Sequence, residues 1–205
     1  MVNMYSKLPN LVLGFHGCDI ETYKKVIIDR EPLQKSMNNY DWLGNGIYFW
    51  EQNYERASEW AKSRAANPKS KIQTPAVIGA IIDLGYCLNL TDYASTAILK
   101  RGYEMLSVRC EILGKPLPEN HSIGNSGEIL IRDLDCAVIE QIHYYNKSQK
   151  LPCYDSVRGI FNEGNRVYPG SEFYEKTHVQ LCIVNPNCIK GYFSPMSPDK
   201  GYMIP

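Results

Sequence analysis

GNGIYFW, at residues 44–50, combines a turn with a strand. Gly44-Asn45-Gly46 is typical of a turn, and the apolar and aromatic residues that follow it predict a short strand. Two glycines allow a ligand to approach the backbone closely, and the ring of Tyr48 then offers a flat surface for stacking. A hairpin turn that leads into a core strand is the alternative interpretation.

A histidine and a glycine end the apolar run at residues 11–17. The run predicts a buried strand with His16 at its exit. From there His16 can donate a hydrogen bond to a ligand hydroxyl. Gly17 has no side chain and therefore lets a ligand approach the backbone. The alternative is a core or turn histidine beside a glycine that serves packing. Asp19 predicts the N-cap of a helix over residues 20–29.

A late strand is predicted at residues 178–184, followed by the turn Asn185-Pro186-Asn187 and another strand at residues 188–193. Alternation places His178, Gln180 and Cys182 on one face of the first strand. Polar residues that face a cleft explain this pattern, and so does an edge strand with its polar face in water.

The rest of the chain mixes helices and strands without regular βαβ alternation, which favours an α+β fold in a single domain over residues 1–205. Helical spacing predicts helices at residues 54–66, 93–113 and 129–145. Apolar runs predict strands at residues 76–84 and 157–162, and polar stretches at residues 119–128 and 165–177 predict loops.

Composition excludes several classes of protein. Lys+Arg and Asp+Glu are both 22, so no strong whole-chain field attracts nucleic acid or anionic membranes. Seven cysteines without a CxxC pair, beside four histidines, argue against a structural zinc site and favour reduced thiols in the cytoplasm. We expect no metal, no signal peptide and no membrane span.

Taken in order, these segments resemble the ADP-ribosyltransferase superfamily. The branch is the one with His-Tyr-Glu chemistry, which includes poly(ADP-ribose) polymerases and diphtheria toxin. The matching segments are His16-Gly17, the Gly-x-Gly-Ile-Tyr-Phe stretch at residues 44–49, Trp60 on the next helix, and residues 180–189 with Asn-Pro-Asn. The end of the chain is also similar to uncharacterised bacterial members. Residues 91–157 fall outside the resemblance and are expected to be a largely helical elaboration.

The resemblance implies a split β-sandwich with flanking helices and a helical insertion, and it implies NAD+ as substrate. His16 would bond the adenosine ribose, and the backbone of Gly17 would pair with the nicotinamide carboxamide. Tyr48 and Trp60 would sandwich the nicotinamide, where each cation–π contact contributes about 0.5–2 kcal/mol. The nicotinamide glycosidic bond would break through an oxocarbenium-like transition state.

The sequence departs from the family where the usual glutamate aligns with Gln180. A glutamate would place a negative charge near the developing cation, whereas a glutamine offers hydrogen bonds alone. Glu172 and Glu175, in the loop ahead of this strand, would supply the carboxylate if the loop folds over the cleft. Solvated loop charges are the alternative interpretation for both.

The resemblance implies a cytoplasmic mono-ADP-ribosyltransferase with a protein or nucleic acid as acceptor. A toxin of a toxin–antitoxin or phage-defence system, with an antitoxin as partner, is the role that would suit such an enzyme. Two alternatives remain. One is an NAD glycohydrolase, in which water replaces the acceptor. The other is an inactive sensor or adaptor that binds NAD+ or ADP-ribose, which the glutamine at position 180 favours.

Overall fold

A computed structural model describes residues 11–122 and 128–204. Its helices are α1 (Ile20–Ile27), α2 (Tyr54–Ala65), α3 (Tyr93–Ile112) and α4 (Asp133–Ser148). Its strands are β1 (Val12–Asp19), β2 (Ile47–Glu51), β3 (Pro75–Ile82), β4 (Cys87–Asn89), β5 (Asn120–His121), β6 (Ile131–Arg132), β7 (Ser156–Phe161), β8 (His178–Ile183) and β9 (Ile189–Phe193). The expected α+β class is confirmed.

Seven of these strands form one hydrogen-bonded sheet in the order β4-β7-β8-β2-β1-β3-β9. The neighbours are antiparallel except for β4 and β7, which are parallel. Strand β1 pairs with β3 along its whole length, from Val12 opposite Ile82 to Asp19 opposite Pro75. The central strands β8, β2 and β1 therefore bring the two ends of the sequence together.

Pairing between β1 and β2 is much shorter than the pairing on either side of it. It consists of Gly14 opposite Glu51 and Phe15 opposite Trp50. Strand β2 pairs with β8 over four residues, beginning with Ile47. The two halves of the sheet are thus joined at one end of β1 and are not paired at the other.

Both faces of the sheet are covered. One face packs against α1 through a cluster that includes Val26, Ile47, Phe49, Ile78, Ile82, Leu181 and Ile183. The other face carries α3 and α4 over Leu88, Val157 and Cys182, and α2 over Trp50 and Val77. Burying one large apolar side chain contributes about 1.5–3 kcal/mol, so these clusters dominate the stability of the fold.

The cap at Asp19 links helix α1 to the start of β3. Its carboxylate accepts hydrogen bonds from the backbone N–H groups of Glu21, Gln73 and Thr74, at 3.0, 2.8 and 2.9 Å. These bonds favour the ionised form and lower the pKa of Asp19. The predicted cap is confirmed.

Three expectations about element boundaries were wrong. Strand β1 does not end at His16-Gly17 but continues to Asp19, because β3 pairs with it over that length. Helix α4 starts at Asp133 rather than at residue 129, because residues 131–132 form β6. Its partner β5 lies in the predicted loop at residues 119–128, of which residues 123–127 lie outside the described part of the chain.

Candidate functional site

The regular ladder between β1 and β2 stops at a place occupied by predicted site residues. After Phe15 and Trp50, the same register would place Gly17 opposite Tyr48. The carbonyl of Tyr48 instead lies 2.8 Å from Nδ1 of His16. We call this opening, bounded by His16, Gly17 and Tyr48, the fork.

The backbone groups of Gly17 face the fork. The carbonyl of Leu13 accepts a hydrogen bond from the N–H of Gln52 at 2.8 Å, so the odd residues of β1 direct their backbone groups toward β2. Gly17 has this parity and lies beyond the last paired residue, Phe15. Its N–H and C=O therefore form an adjacent donor and acceptor at the fork, a pattern complementary to a primary amide.

The side chain of His16 has a defined tautomer. A carbonyl can only accept a hydrogen bond, so Nδ1 carries the proton that is donated to Tyr48. Burial lowers the pKa of His16, which keeps the imidazole neutral at pH 7. Its Nε2 atom is then an acceptor for a hydroxyl. The ring also makes an edge contact with Phe49, at 5.8 Å between centroids.

Tyr48 is fixed by its hydroxyl group. The hydroxyl donates to the carbonyl of Gly44 at 2.8 Å and accepts from the N–H of Leu43 at 3.0 Å. Burial raises its pKa, and its ring packs beside the cluster that contains Cys182. The glycine turn therefore holds the Tyr48 ring in one orientation, and these contacts fit the interpretation of residues 44–50 as a turn that leads into a core strand.

Gly17 also serves packing. A Cβ atom at this position would lie 2.5 Å from the carbonyl oxygen of Ala57 and 3.1 Å from the ring of Trp60, so helix α2 requires the glycine. Trp60 in turn contacts Trp50, with ring centroids 5.4 Å apart. The structure thus places Trp60 next to Gly17, and this contact with α2 fits the interpretation of Gly17 as a packing glycine.

Gln180 lies opposite Trp50 on β8, two residue pairs along the strand from the pair of Tyr48 and Cys182 and on the same face of the sheet. Its Oε1 atom accepts a hydrogen bond from the indole N–H of Trp42 at 2.6 Å. This bond engages the amide oxygen of Gln180 and directs its NH₂ group away from Trp42.

Trp42 was not among the site residues predicted from the sequence. The guanidinium of Arg132 lies over the Trp42 ring at 5.2 Å and over Phe161 at 4.7 Å, and the ring covers Gly159. A large aromatic residue two positions ahead of the glycine turn was the available signal. Its partner Gln180 is 138 residues away, which no local pattern reveals.

Substitution of Gly159 tests the placement of Trp42. A Cβ atom on Gly159 would lie 2.5 Å from the Trp42 ring. We expect Gly159→Ala to displace the indole and to lower the free energy of unfolding by about 1–3 kcal/mol, measured by urea denaturation. Gly191→Ala is the matched control, because a Cβ on that strand glycine meets no atom within 4 Å. Equal stabilities of the two variants would contradict the placement.

The structure does not bring Glu172 or Glu175 to Gln180. Glu172 is exposed and forms an ion pair with Arg166. Glu175 is also exposed and accepts a hydrogen bond from the Asn165 amide at 3.3 Å. Both carboxylates therefore fit the interpretation as solvated loop charges.

A cavity of about 530 Å³ lies between α3, α4 and β7, with Trp42 in its wall. A second, of about 750 Å³, lies beside Arg132 and Lys176. None of His16, Gly17, Tyr48 and Gln180 lines either cavity. The fork is therefore identified as a candidate site by its unpaired backbone groups and not by the volume of a cavity.

Comparisons with known proteins add one distant relative. No family model matches the chain, and no solved structure matches it. An uncharacterised protein of Methanocaldococcus jannaschii is 25% identical over an alignment of 195 positions, which covers 86% of this chain and 83% of that protein. Within residues 11–122 and 128–204, no helix is long and apolar enough to cross a membrane.

Proposed function

We propose that the protein is a mono-ADP-ribosyltransferase that binds NAD+ at the fork, cleaves its nicotinamide glycosidic bond and transfers ADP-ribose to an acceptor. In this proposal the unpaired ends of β1 and β2 correspond to the split of an ADP-ribosyltransferase-like β-sandwich. The short β1–β2 pairing supports this correspondence.

One observation carries the proposal. The Tyr48 carbonyl is bonded to the His16 ring, so the next ladder position leaves the N–H and C=O of Gly17 facing the fork. A carboxamide has one acceptor oxygen and an NH₂ donor, and a single residue's backbone pair can satisfy both. The nicotinamide of NAD+ carries this group, whereas nicotinic acid offers acceptor oxygens only.

The side chains around the fork suit the rest of the substrate. Nε2 of His16 accepts a hydrogen bond from a ribose hydroxyl. Tyr48 and Trp60 lie on the same side of the sheet as Gln180 and flank Gly17, where aromatic faces stabilise the cationic nicotinamide ring.

In the reaction the glycosidic bond breaks and its electron pair leaves with the nicotinamide nitrogen, so positive charge develops on the ribose. The Gln180 amide, oriented by Trp42, donates a hydrogen bond that positions a ribose hydroxyl. It supplies no negative charge, which predicts slower bond cleavage than a carboxylate at this position would give.

The hydrogen bond between Trp42 and Gln180 favours a second candidate function. A glutamine whose oxygen is engaged by the protein is suited to holding a ligand, so the chain would act as a binding module for NAD+ or ADP-ribose.

Product analysis with NAD+ labelled separately in the nicotinamide and the adenylate distinguishes the candidates. A transferase releases nicotinamide and leaves the adenylate label on an acceptor from cell lysate or RNA. A glycohydrolase releases nicotinamide and free ADP-ribose. A binding module retains intact NAD+ in equilibrium dialysis, and absence of both binding and cleavage would contradict the proposal.

The loop carboxylates are expected to contribute little to this reaction. Since Glu172 and Glu175 are exposed and paired within their own loop, Glu172→Gln and Glu175→Gln should each keep nicotinamide release within about twofold of the native rate, as expected for surface positions. A loss of about 10²-fold in either variant, the effect of removing an electrostatic stabiliser, would show that the loop closes over the site.

A further inference from the structure

Three buried polar atoms without a hydrogen-bond partner belong to neighbouring side chains on the Gln180 side of the sheet. They are Nε1 of Trp50, Nε of Arg56 and Nε2 of His178, among five such side-chain atoms in the described chain. The three residues are 7%, 7% and 5% exposed. Because buried polar groups in folded proteins nearly always have partners, such a cluster points to a ligand group or a water.

The three side chains share one side of the sheet. Trp50 is the cross-strand neighbour of Gln180, and His178 precedes Gln180 by two residues on β8. The side chains of Trp50, Gln180 and His178 therefore point to the same side of the sheet. The rings of Trp50 and His178 are 6.1 Å apart. The guanidinium carbon of Arg56, on α2, is 5.8 Å from the centre of the Trp50 ring.

His178 offers an acceptor to this cluster. Its Nδ1–H donates to the carbonyl of Lys176 at 2.6 Å, which leaves the lone pair on Nε2. Burial is the main cause of its lowered pKa; the charge of Arg56 lowers it further, while Glu163 and Glu59 raise it. The imidazole is therefore neutral at pH 7.

Arg56 and Trp50 offer donors. The terminal nitrogens of Arg56 form ion pairs with Glu59, at 3.1 Å, and with Glu163, which fix the guanidinium and leave its Nε–H unpaired. Glu59 also pairs with Lys176, at 2.6 Å. The cluster thus has two N–H donors and one acceptor nitrogen.

We propose that Trp50, Arg56 and His178 bind the hydroxyl group of the nucleophile that receives ADP-ribose, with His178 as its general base. This inference rests on the proposed function and names its acceptor class. A hydroxyl has one proton to donate to His178 and two lone pairs, so it can accept a hydrogen bond from one of the two N–H groups and keep the other lone pair for attack. A guanidinium only donates and would lie beside the positive charge of Arg56, and a carboxylate has no proton for His178 to accept.

In the step, the bond between the ribose anomeric carbon and the nicotinamide nitrogen breaks, and its electrons leave with nicotinamide. The hydroxyl oxygen forms the new bond to that carbon. Its proton moves to Nε2 of His178 and is then released to solvent. Water in this role gives hydrolysis, and an alcohol gives transfer.

The test compares nucleophiles and matched histidine variants of the full chain. With NAD+ in water we expect ADP-ribose as the product, and in aqueous methanol we also expect methyl ADP-ribose. With agmatine, which carries a guanidinium group, we expect no agmatine adduct. His178→Gln should slow product formation by about 10²-fold or more without a change in NAD+ affinity, the scale of a general base. His143→Gln is the control, because His143 also has a lowered pKa and an unpartnered Nε2 but lies on α4.

The pH profile separates a chemical role from a structural one. Protonation of His178 removes the base, so the native rate should fall as the pH falls through its lowered pKa, below the ordinary 6.5. His178→Gln should lack this acid limb. An unchanged rate or an unchanged acid limb in a folded His178→Gln variant, or an agmatine adduct, would overturn the inference while leaving the proposed function intact.

Nitrogen NMR of the unmodified chain gives a test that does not depend on a variant. We expect His178 at pH 7 to be neutral with its proton on Nδ1. A proton on Nε2 at this pH would overturn the role as a base. Failure of the native chain to cleave NAD+ would overturn both the proposed transferase activity and this role.

Discussion

His16→Asn is expected to lower kcat/KM for nicotinamide release by about 10²-fold, because it leaves a buried hydroxyl of the adenosine ribose without its partner, while the fold remains stable. The amide nitrogen of asparagine reaches as far as Nδ1 of histidine, so it preserves the hydrogen bond to the carbonyl of Tyr48, now 2.8 Å long. It has no atom at the position of Nε2. The variant therefore removes the acceptor nitrogen that is offered to the ribose and keeps the donor that bonds the Tyr48 carbonyl at the fork.

His16→Gln is the complementary control. The end of a glutamine side chain lies near the position of Nε2, but the variant loses the donor to Tyr48. An unpaired buried carbonyl costs about 1–3 kcal/mol, so urea denaturation should show a destabilised chain that retains more activity per folded molecule. Native activity in His16→Asn would show that His16 is a structural residue only.

Gln180→Ala is expected to lower nicotinamide release by about 10²-fold, because it removes the donor that positions the ribose and leaves the Trp42 indole N–H without its partner. Gln180→Glu keeps an oxygen for Trp42 and adds a negative charge beside the developing cation. We expect it to raise the rate of bond cleavage by about 10-fold to 10²-fold over the native chain.

The two Gln180 variants should be compared at equal NAD+ saturation, with binding measured by calorimetry. Full native activity in Gln180→Ala would exclude Gln180 from the chemistry. Activity that appears only in Gln180→Glu would show that the native chain is a binding module.

Local structure was predictable where neighbouring residues determine it. The cap at Asp19 and the start of α3 at Tyr93 follow from short-range hydrogen bonds and helical spacing, and the structure contains both. The strand after the glycine turn was predictable for the same reason, since Ile47–Glu51 is a run of apolar and aromatic residues. The α+β class followed from the order of such elements.

Contacts between distant segments were not predictable. The hydrogen bond from Trp42 to Gln180 and the ion pair between Arg56 and Glu163 join segments that are 138 and 107 residues apart. The β1–β2 ladder stops before Gly17 because the His16 side chain bonds the Tyr48 carbonyl. The pattern of apolar and polar residues along the sequence does not indicate such a bond.

The most direct test of the fork as the nicotinamide site is the backbone amide resonance of Gly17 during titration with NAD+. We expect a saturable shift of the Gly17 N–H, competition by free nicotinamide, and weaker binding of the nicotinic acid analogue of NAD+, whose carboxylate cannot donate to the Gly17 carbonyl. An unchanged Gly17 resonance at NAD+ concentrations that saturate binding elsewhere, or absence of NAD+ binding, would contradict the account.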